Sequence, residues 1–313
     1  MTKAFVFPGQ GAQFVGMGKN LAENFVNARE VFEEVDEVLK QKLSYIIFNG
    51  SIEELSLTEN TQPALMAVSM ALVRVLEKDA NIDLAQGALF AAGHSLGEYS
   101  ALAAMKALTL TDTALLLRTR GKAMQQAVPV GQGGMAALLG LEFTEAELIA
   151  TQAAVGEVCQ IANDNSPGQI VLSGTSEAID RAVNITISVY GKKAIKLNVS
   201  APFHSELMKP AQDIMNNALA EIEIKAPILP IVANVTALDV QEPLQIRSLL
   251  VKQVTSMVKW RESIVFMKNH GVETIIEIGA GQVLTGLTKR IDKDIKSISI
   301  NDIDDINTLV KIL

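Results

Sequence analysis

Only one cysteine, Cys159, occurs in the 313 residues, so no disulfide can form within the chain and a reducing compartment suits it. Histidine is almost as scarce. His94, His204 and His270 are the full set, and no two of them stand in an H-x-x-x-H or H-E-x-x-H spacing, so no metal site is expected. No stretch of about 18 uninterrupted apolar residues occurs, which argues against a membrane span. Basic residues are outnumbered by acidic ones, 27 to 35, and the resulting net charge of −8 argues against broad nucleic-acid binding. The opening MTKAFVFPGQ has a short apolar run with no small-residue cleavage site behind it, so a cytoplasmic location is expected rather than export. What the chain does have is 49% hydrophobic residues without low-complexity tracts, enough for one large domain or a large and a small one.

The informative stretch is AAGHSLGEYSALAA, residues 91–104, which holds Gly93, Ser95 and Gly97 as a G-x-S-x-G. That spelling carries chemistry when a strand precedes it and a helix follows. The serine then sits on a sharp turn with its hydroxyl exposed, and the glycines avoid collisions with neighbouring backbone. GALFAAG (87–93) is strand-like, and LGEYSALAAMKAL has the alanines of a helix that must approach a sheet closely. Upstream, KAFVF ends at Pro8-Gly9 as a buried strand would, and LMAVSMALVRVLE (65–77) has helical spacing.

VPVGQGG (128–134) reads as a boundary. Beyond it MAALLG is a strand and TEAELIATQAAVG a helix, with Thr144 and Glu147 as its capping box and Gly156 as its stop. EVCQIAN is a strand, NSPG a turn, QIVLSG a strand, SEAIDRAVNITISVYG a helix closed by Gly191, and KKAIKLN a strand. The order βαββαβ is that of a ferredoxin-like subdomain. The strand–glycine–helix pattern resumes in TIIEIGAGQVLTGL (274–287), so the subdomain is an insertion. The expected fold is therefore α/β. A large α/β-hydrolase-like domain with a parallel sheet spans 1–128 and 199–313, and an inserted ferredoxin-like subdomain spans 129–198.

A serine hydroxyl needs a base. His94 adjoins Ser95 on the tight turn and should point elsewhere, and His270 sits where a helix stops before a strand, both structural positions. His204, in SAPFHSELM, follows a strand and a proline, where irregular backbone can aim a side chain at the serine. An acyl-transfer site also needs donors for an oxyanion, which Gln10 in PGQGAQ and Leu96 next to the serine can offer. PGQGAQ fails as a phosphate loop, because Gln13 and Asn20 stand where glycine and Ser or Thr belong. GAGQVL fails as a dinucleotide fingerprint, because Leu284 replaces the third glycine. In LLLRTRGKAMQ, Arg118 suits a solvent-facing position, and one arginine of the pair Arg118 and Arg120 could clamp a carboxylate.

FVFPGQGAQ, TQPALMA, GHSLGEYSAL, RGKAMQ, NSPGQIVLSG and APFHS together, in this order and spacing, resemble the malonyl-CoA:acyl-carrier-protein transacylases of dissociated fatty acid synthesis, nearly from end to end. The resemblance implies that Ser95 attacks the malonyl thioester with His204 as base, that the Gln10 and Leu96 amides hold the oxyanion, and that Arg120 clamps the malonyl carboxylate. It further implies that the backbone carbonyl of Gln253 orients His204, that Gln62 and Asn163 line the site, and that Phe203 disfavours an α-methyl on the acyl group. VTSMVKW, after Gln253, keeps little of the family pattern beyond its tryptophan. Malonyl-CoA and acyl carrier protein are the implied partners, with no metal or redox cofactor and a monomer as the expected state. Carrier proteins are acidic, so docking needs a local basic patch on an acidic enzyme. Lys192, Lys193 and Lys196 form one cluster, and Lys289 with Arg290 another; ordinary solvated surface is the alternative. A serine thioesterase and an idle carrier-docking module are the rival readings. Because an unperturbed histidine titrates at about 6.5, acylation is expected to decline on the acid side of that value.

Overall fold

KAFVF forms β1 (Lys3–Phe7), and every one of its residues is buried in the computed structural model, which describes residues 2–199 and 201–310. Phe5 and Phe7 enter the core on one face of the sheet and Ala4 and Val6 the core on the other. Such burial on both faces is why the strand is an unbroken apolar run rather than an alternating one. Burying each phenylalanine contributes roughly 1.5–3 kcal/mol. Around β1 stand β2 (Ala88–Gly93), β7 (Ile231–Val232), β8 (Asp239–Val240), β9 (Thr274–Ile278) and β10 (Lys296–Ile300). Their order is β10-β9-β1-β2-β7-β8, parallel throughout except for the antiparallel β7–β8 pair at one edge. The Thr58–Lys78 helix packs nearly all of its length into the core on the Phe5 face.

A second sheet lies between β2 and β7 in the chain. It holds β3 (Gly133–Leu139), β4 (Cys159–Ser166), β5 (Gln169–Thr175) and β6 (Lys193–Lys196), in the order β4-β5-β3-β6 and antiparallel at every pairing. Here side chains do alternate. Ala136, Leu138, Ile170 and Leu172 bury against the Phe143–Ala154 and Ser176–Ser188 helices, while Met135, Ala137 and Val171 join the main core. β4 of this second sheet is also tied to the start of the Trp260–Asn269 helix. Asp164 N–H donates to Val258 O at 3.0 Å, Val258 N–H donates to Ala162 O at 2.8 Å, and Arg261 pairs with buried Asp164 at 2.7 Å.

Local details depart from the sequence expectations. The capping box of the Phe143–Ala154 helix is made by Glu142 and Glu145, two residues before the expected Thr144 and Glu147. Phe143 packs against the small core and so draws the chain into the helix early. That helix ends with Val155, not Gly156, in the left-handed region (φ 45°), and Gly156 follows at φ 82°. β4 runs on through Asn165 and Ser166, which shortens the expected NSPG turn to Pro167-Gly168. The next helix ends at Ser188, three residues before Gly191.

Candidate active site

Ser95 follows the carboxyl end of β2 and precedes the Gly97–Ala104 helix, with φ 54°. Its flanking glycines are required by space. A Cβ on Gly93 would lie 1.9 Å from the Gly97 carbonyl carbon, and one on Gly97 would lie 2.2 Å from Phe7 O. Asn234, just past β7, clamps the turn from outside. It accepts from Ser95 N–H at 2.7 Å and donates to Gly93 O at 2.7 Å. Nothing in the spelling of that stretch signalled this role.

His204 is brought to the serine from 109 residues away, its Nε2 standing 2.8 Å from Ser95 Oγ. Its own backbone is left-handed (φ 58°), which turns the ring back into the cleft. Nδ1 faces two carbonyls, Gln253 O at 2.9 Å and Ser256 O at 3.1 Å. Two acceptors there require the proton on Nδ1, so Nε2 is left as the acceptor for the serine hydroxyl. Burial, reinforced by the positive charge of Arg120, pushes the imidazole pKa down to about 3. The expected limb near 6.5 is therefore displaced far to acid, because a ring deprived of water beside a guanidinium resists a second positive charge.

Arg120 is 1% exposed, yet no carboxylate touches it among the described residues. Its Nη1 donates to Gln62 Oε1 at 2.8 Å, and its Nη2 donates to Ser95 Oγ at 3.0 Å and to Gln253 Oε1 at 2.9 Å. Nε has no acceptor. Its Cζ also stands 5.8 Å from the centroid of the Tyr99 ring. A buried guanidinium with no carboxylate in direct contact can take an anion, and a carboxylate matches its fork best. Gly121 makes this placement possible. A Cβ there would lie 2.6 Å from Glu59 Cα, so the Leu110–Gln126 helix closes onto the start of the Thr58–Lys78 helix, where Gln62 sits. Arg118 differs from the expected solvent position, being half-buried with Nη1 donating to Asn60 Oδ1 at 2.9 Å.

Gln10, Gln62, Ser95, Leu96, Arg120, Asn163, Phe203 and His204 all line one cleft of about 100 Å³. Met124, Met135, Leu197 and Val199 complete an apolar wall that the sequence did not single out. Gln253 stands behind this cleft, fully buried. The sequence reading used only its carbonyl, yet its side-chain Nε2 also donates to Ser95 O at 3.0 Å and to Glu98 Oε2 at 2.9 Å. His94 also lines this cleft, but its Nε2 stands 2.8 Å from Asn165 Oδ1 and its ring packs against Trp260. His270 caps its helix with Nδ1 at 2.8 Å from Phe266 O, outside the cleft. The five basic residues are all exposed. Lys193 pairs with Leu139, whose other neighbour Gln169 accepts from Arg290 Nη1 at 2.7 Å, so the two clusters meet at one end of the small sheet. Lys196 is engaged instead by Asp180.

A serine at a strand–helix elbow, with a histidine nitrogen 2.8 Å and an arginine nitrogen 3.0 Å from its hydroxyl, is an arrangement suited to acyl transfer. The chain belongs to the acyl transferase domain family, whose model matches residues 4–304, and it is an acyltransferase. It is 44% identical over 311 residues to the malonyl CoA-acyl carrier protein transacylase of Bacillus subtilis, covering 99% of this chain and 96% of that one. Among solved structures it is similar to the acyl-carrier-protein-S-malonyltransferase of Bartonella henselae, with TM-score 0.97, 53% identity and coverage of 100% and 99%. It is also similar to a malonyl-transacylase solved in complex with a type II PKS acyl-carrier protein, with TM-score 0.95, 38% identity and coverage of 100% of both chains.

Proposed function

We propose that this acyltransferase moves malonyl from coenzyme A to the phosphopantetheine thiol of an acyl carrier protein, by a ping-pong route through a Ser95 ester. The observation that carries the proposal is the convergence of His204 Nε2 and Arg120 Nη2 on one oxygen, Ser95 Oγ. Base and carboxylate receptor thereby meet at a single nucleophile. The malonyl carboxylate takes the Arg120 fork beside Gln62, which sets the thioester carbonyl against Ser95 Oγ. Oγ attacks that carbon as its proton passes to Nε2 of His204, and the Gln10 and Leu96 amides receive the oxyanion. Collapse expels the coenzyme A sulfur, which takes the proton from His204. The carrier thiol then repeats the sequence in reverse, giving its proton to His204 and leaving with the malonyl group. The Gln253 carbonyl holds the imidazole tautomer without adding a negative charge near an anionic substrate.

Phe203 and Asn163 shape the acyl end of the cleft, with Phe203 crowding an α-methyl. Lys192, Lys193, Lys196, Lys289 and Arg290 form the docking face for the acidic carrier. The proposal assigns residues 1–128 and 199–313 to an α/β-hydrolase-like catalytic domain and 129–198 to an inserted ferredoxin-like subdomain, a division supported by the sheet order β4-β5-β3-β6. It assigns no metal or redox cofactor, since nucleophile, base and donors all come from the chain. It sets the enzyme in cytoplasmic fatty acid synthesis. The test is incubation with labelled malonyl-CoA and no thiol acceptor. A stable label on Ser95, lost in Ser95→Ala, is expected. Rapid release of free malonate would make the protein a thioesterase, and no label would leave it a docking module.

A further inference from the structure

Glu98 lies three residues after the nucleophile, 2% exposed, and the acyl-transfer steps do not use it. Among the described residues, both of its hydrogen bonds fall on one oxygen. Asn234 N–H donates to Oε2 at 3.0 Å and Gln253 Nε2 donates to the same atom at 2.9 Å. The other end of the Gln253 amide, Oε1, accepts from Arg120 Nη2 at 2.9 Å. One amide thus stands between a buried acid and a buried guanidinium, aligned with its oxygen toward the cation and its N–H group toward the anion. Taking an ion out of water is costly unless an opposite charge is near, and each of these two is the other's compensation. Among the described residues, the charged or titratable groups acting on Glu98 are Arg120, from the Leu110–Gln126 helix, and Tyr99, its neighbour in the Gly97–Ala104 helix. His204, across Ser95, is held neutral.

The geometry points to Glu98 as the resting counter-charge of Arg120, relayed through Gln253, which takes up a proton from solvent when a substrate carboxylate replaces it. The inference rests on the malonyl reading of the site. With malonyl on Ser95, Arg120 is neutralised by the acyl carboxylate, and Glu98 would otherwise be left as a second, uncompensated anion in the same dry region. Protonation removes that anion without moving a side chain. The resting state is poised for it, because burial raises the Glu98 pKa to about 7 against the hydrogen bonds from Asn234 and Gln253 and the pull of Arg120. Loss of that pull moves it higher, so protons are taken up where the resting carboxylate is ionised and the malonylated one is not. Glu98 is a positioning residue in this scheme: it never touches the acyl group, but its charge state follows the occupancy of the Arg120 fork.

Because both donors fall on Oε2, Glu98→Gln can keep both hydrogen bonds on an amide oxygen while deleting the charge. The experiment loads wild type and Glu98→Gln with labelled malonyl-CoA in weakly buffered solution. Proton uptake is followed with an indicator dye and divided by the label found on Ser95. Coenzyme A release is common to both proteins and cancels. At about pH 8 the wild type should take up a measurable fraction of a proton per malonyl in excess of the variant. Near pH 5.5 or so, where Glu98 is already protonated, the excess should vanish. Equal uptake by both proteins at about pH 8 would overturn the inference while leaving the acyl-enzyme intact. Absence of label from the wild type would overturn the malonyl reading and this inference together. Should Glu98→Gln fail to fold, infrared difference spectra of the wild type answer the same question. Malonylation should raise a protonated-carboxyl band that shifts on 13C-glutamate labelling and is missing after acetylation; no such band means no protonated Glu98.

Discussion

The reacting half of the cleft and the selecting half are built from different materials. Around Ser95 and His204 the structure relies on backbone. It uses two glycines that admit close approach, two left-handed residues, and two carbonyls that hold one ring nitrogen. Around Arg120 it relies on long buried side chains from separate helices, with Gln62 on one, Gln253 on another and Glu98 on a third. On the proposed reading, backbone geometry treats every acyl thioester alike, whereas the buried fork distinguishes one that brings a carboxylate. The difference implies that chemistry and selectivity can be damaged separately.

The largest effect should come from the reacting half. His204→Ala removes the base and should slow acylation by several orders of magnitude for malonyl and for a neutral acyl thioester alike, as read by rapid-quench labelling of Ser95. Survival of either substrate at near-normal rates would dissolve the contrast. In the selecting half, Arg120→Ala should cost malonyl about two orders of magnitude or more, on the order of 3 kcal/mol. Lysine cannot copy two parallel bonds, so Arg120→Lys should recover little of that loss when acylation rates are compared.

A smaller effect is expected outside the cleft. Reversing charge at Lys192, Lys193 and Arg290 together should raise the KM for carrier protein roughly five- to tenfold while leaving self-acylation unchanged. Lys196→Glu alone should do less, since Asp180 already holds that lysine. Parallel loss of both half-reactions in the triple variant would mean the fold, not docking, was hit. The smallest expected effect is of pH on the base. A pKa lowered to about 3 means that His204 stays unprotonated, and so competent, at every pH well above that value. Acylation by a neutral thioester should therefore pass through 6.5 without a step from the base, and an acid limb centred there that persists in Glu98→Gln would show a solvated imidazole.

Much of the reacting half was legible in the sequence because its causes are local. Gly93, Ser95 and Gly97 are a contiguous spelling, and the strand and helix around them carry their own periodicity. His204 emerged by elimination among three histidines. The selecting half was legible mainly through family resemblance, since helical spacing alone does not separate Arg118 from Arg120. A usable signal was present in Gly121. Glycine is unfavourable inside a helix, and here it marks the contact that carries Arg120 to Gln62. Asn234, Ser256 and Glu98 were missed for a common reason. Their roles depend on contacts across the fold (Asn234 with Ser95 spans 139 residues), which no local pattern records. The misplaced capping box is the opposite failure. Only Thr144 with Glu147 fits the usual spelling of a capping box, and the packing of Phe143, invisible in one dimension, moved the box to Glu142 and Glu145.

The central claim is that Arg120 selects while Ser95 and His204 react. It is tested most directly by the ratio of malonyl to acetyl acylation rates, measured side by side in the wild type, His204→Ala and Arg120→Ala. The account predicts that His204→Ala lowers both rates and leaves the ratio near its wild-type value. It predicts that Arg120→Ala collapses the ratio by about two orders of magnitude or more, with acetyl acylation unchanged or faster because an acetyl group has no carboxylate to lose. A parallel decline of malonyl and acetyl in Arg120→Ala would contradict it, and would make Arg120 a structural support of the serine rather than the receptor for a carboxylate.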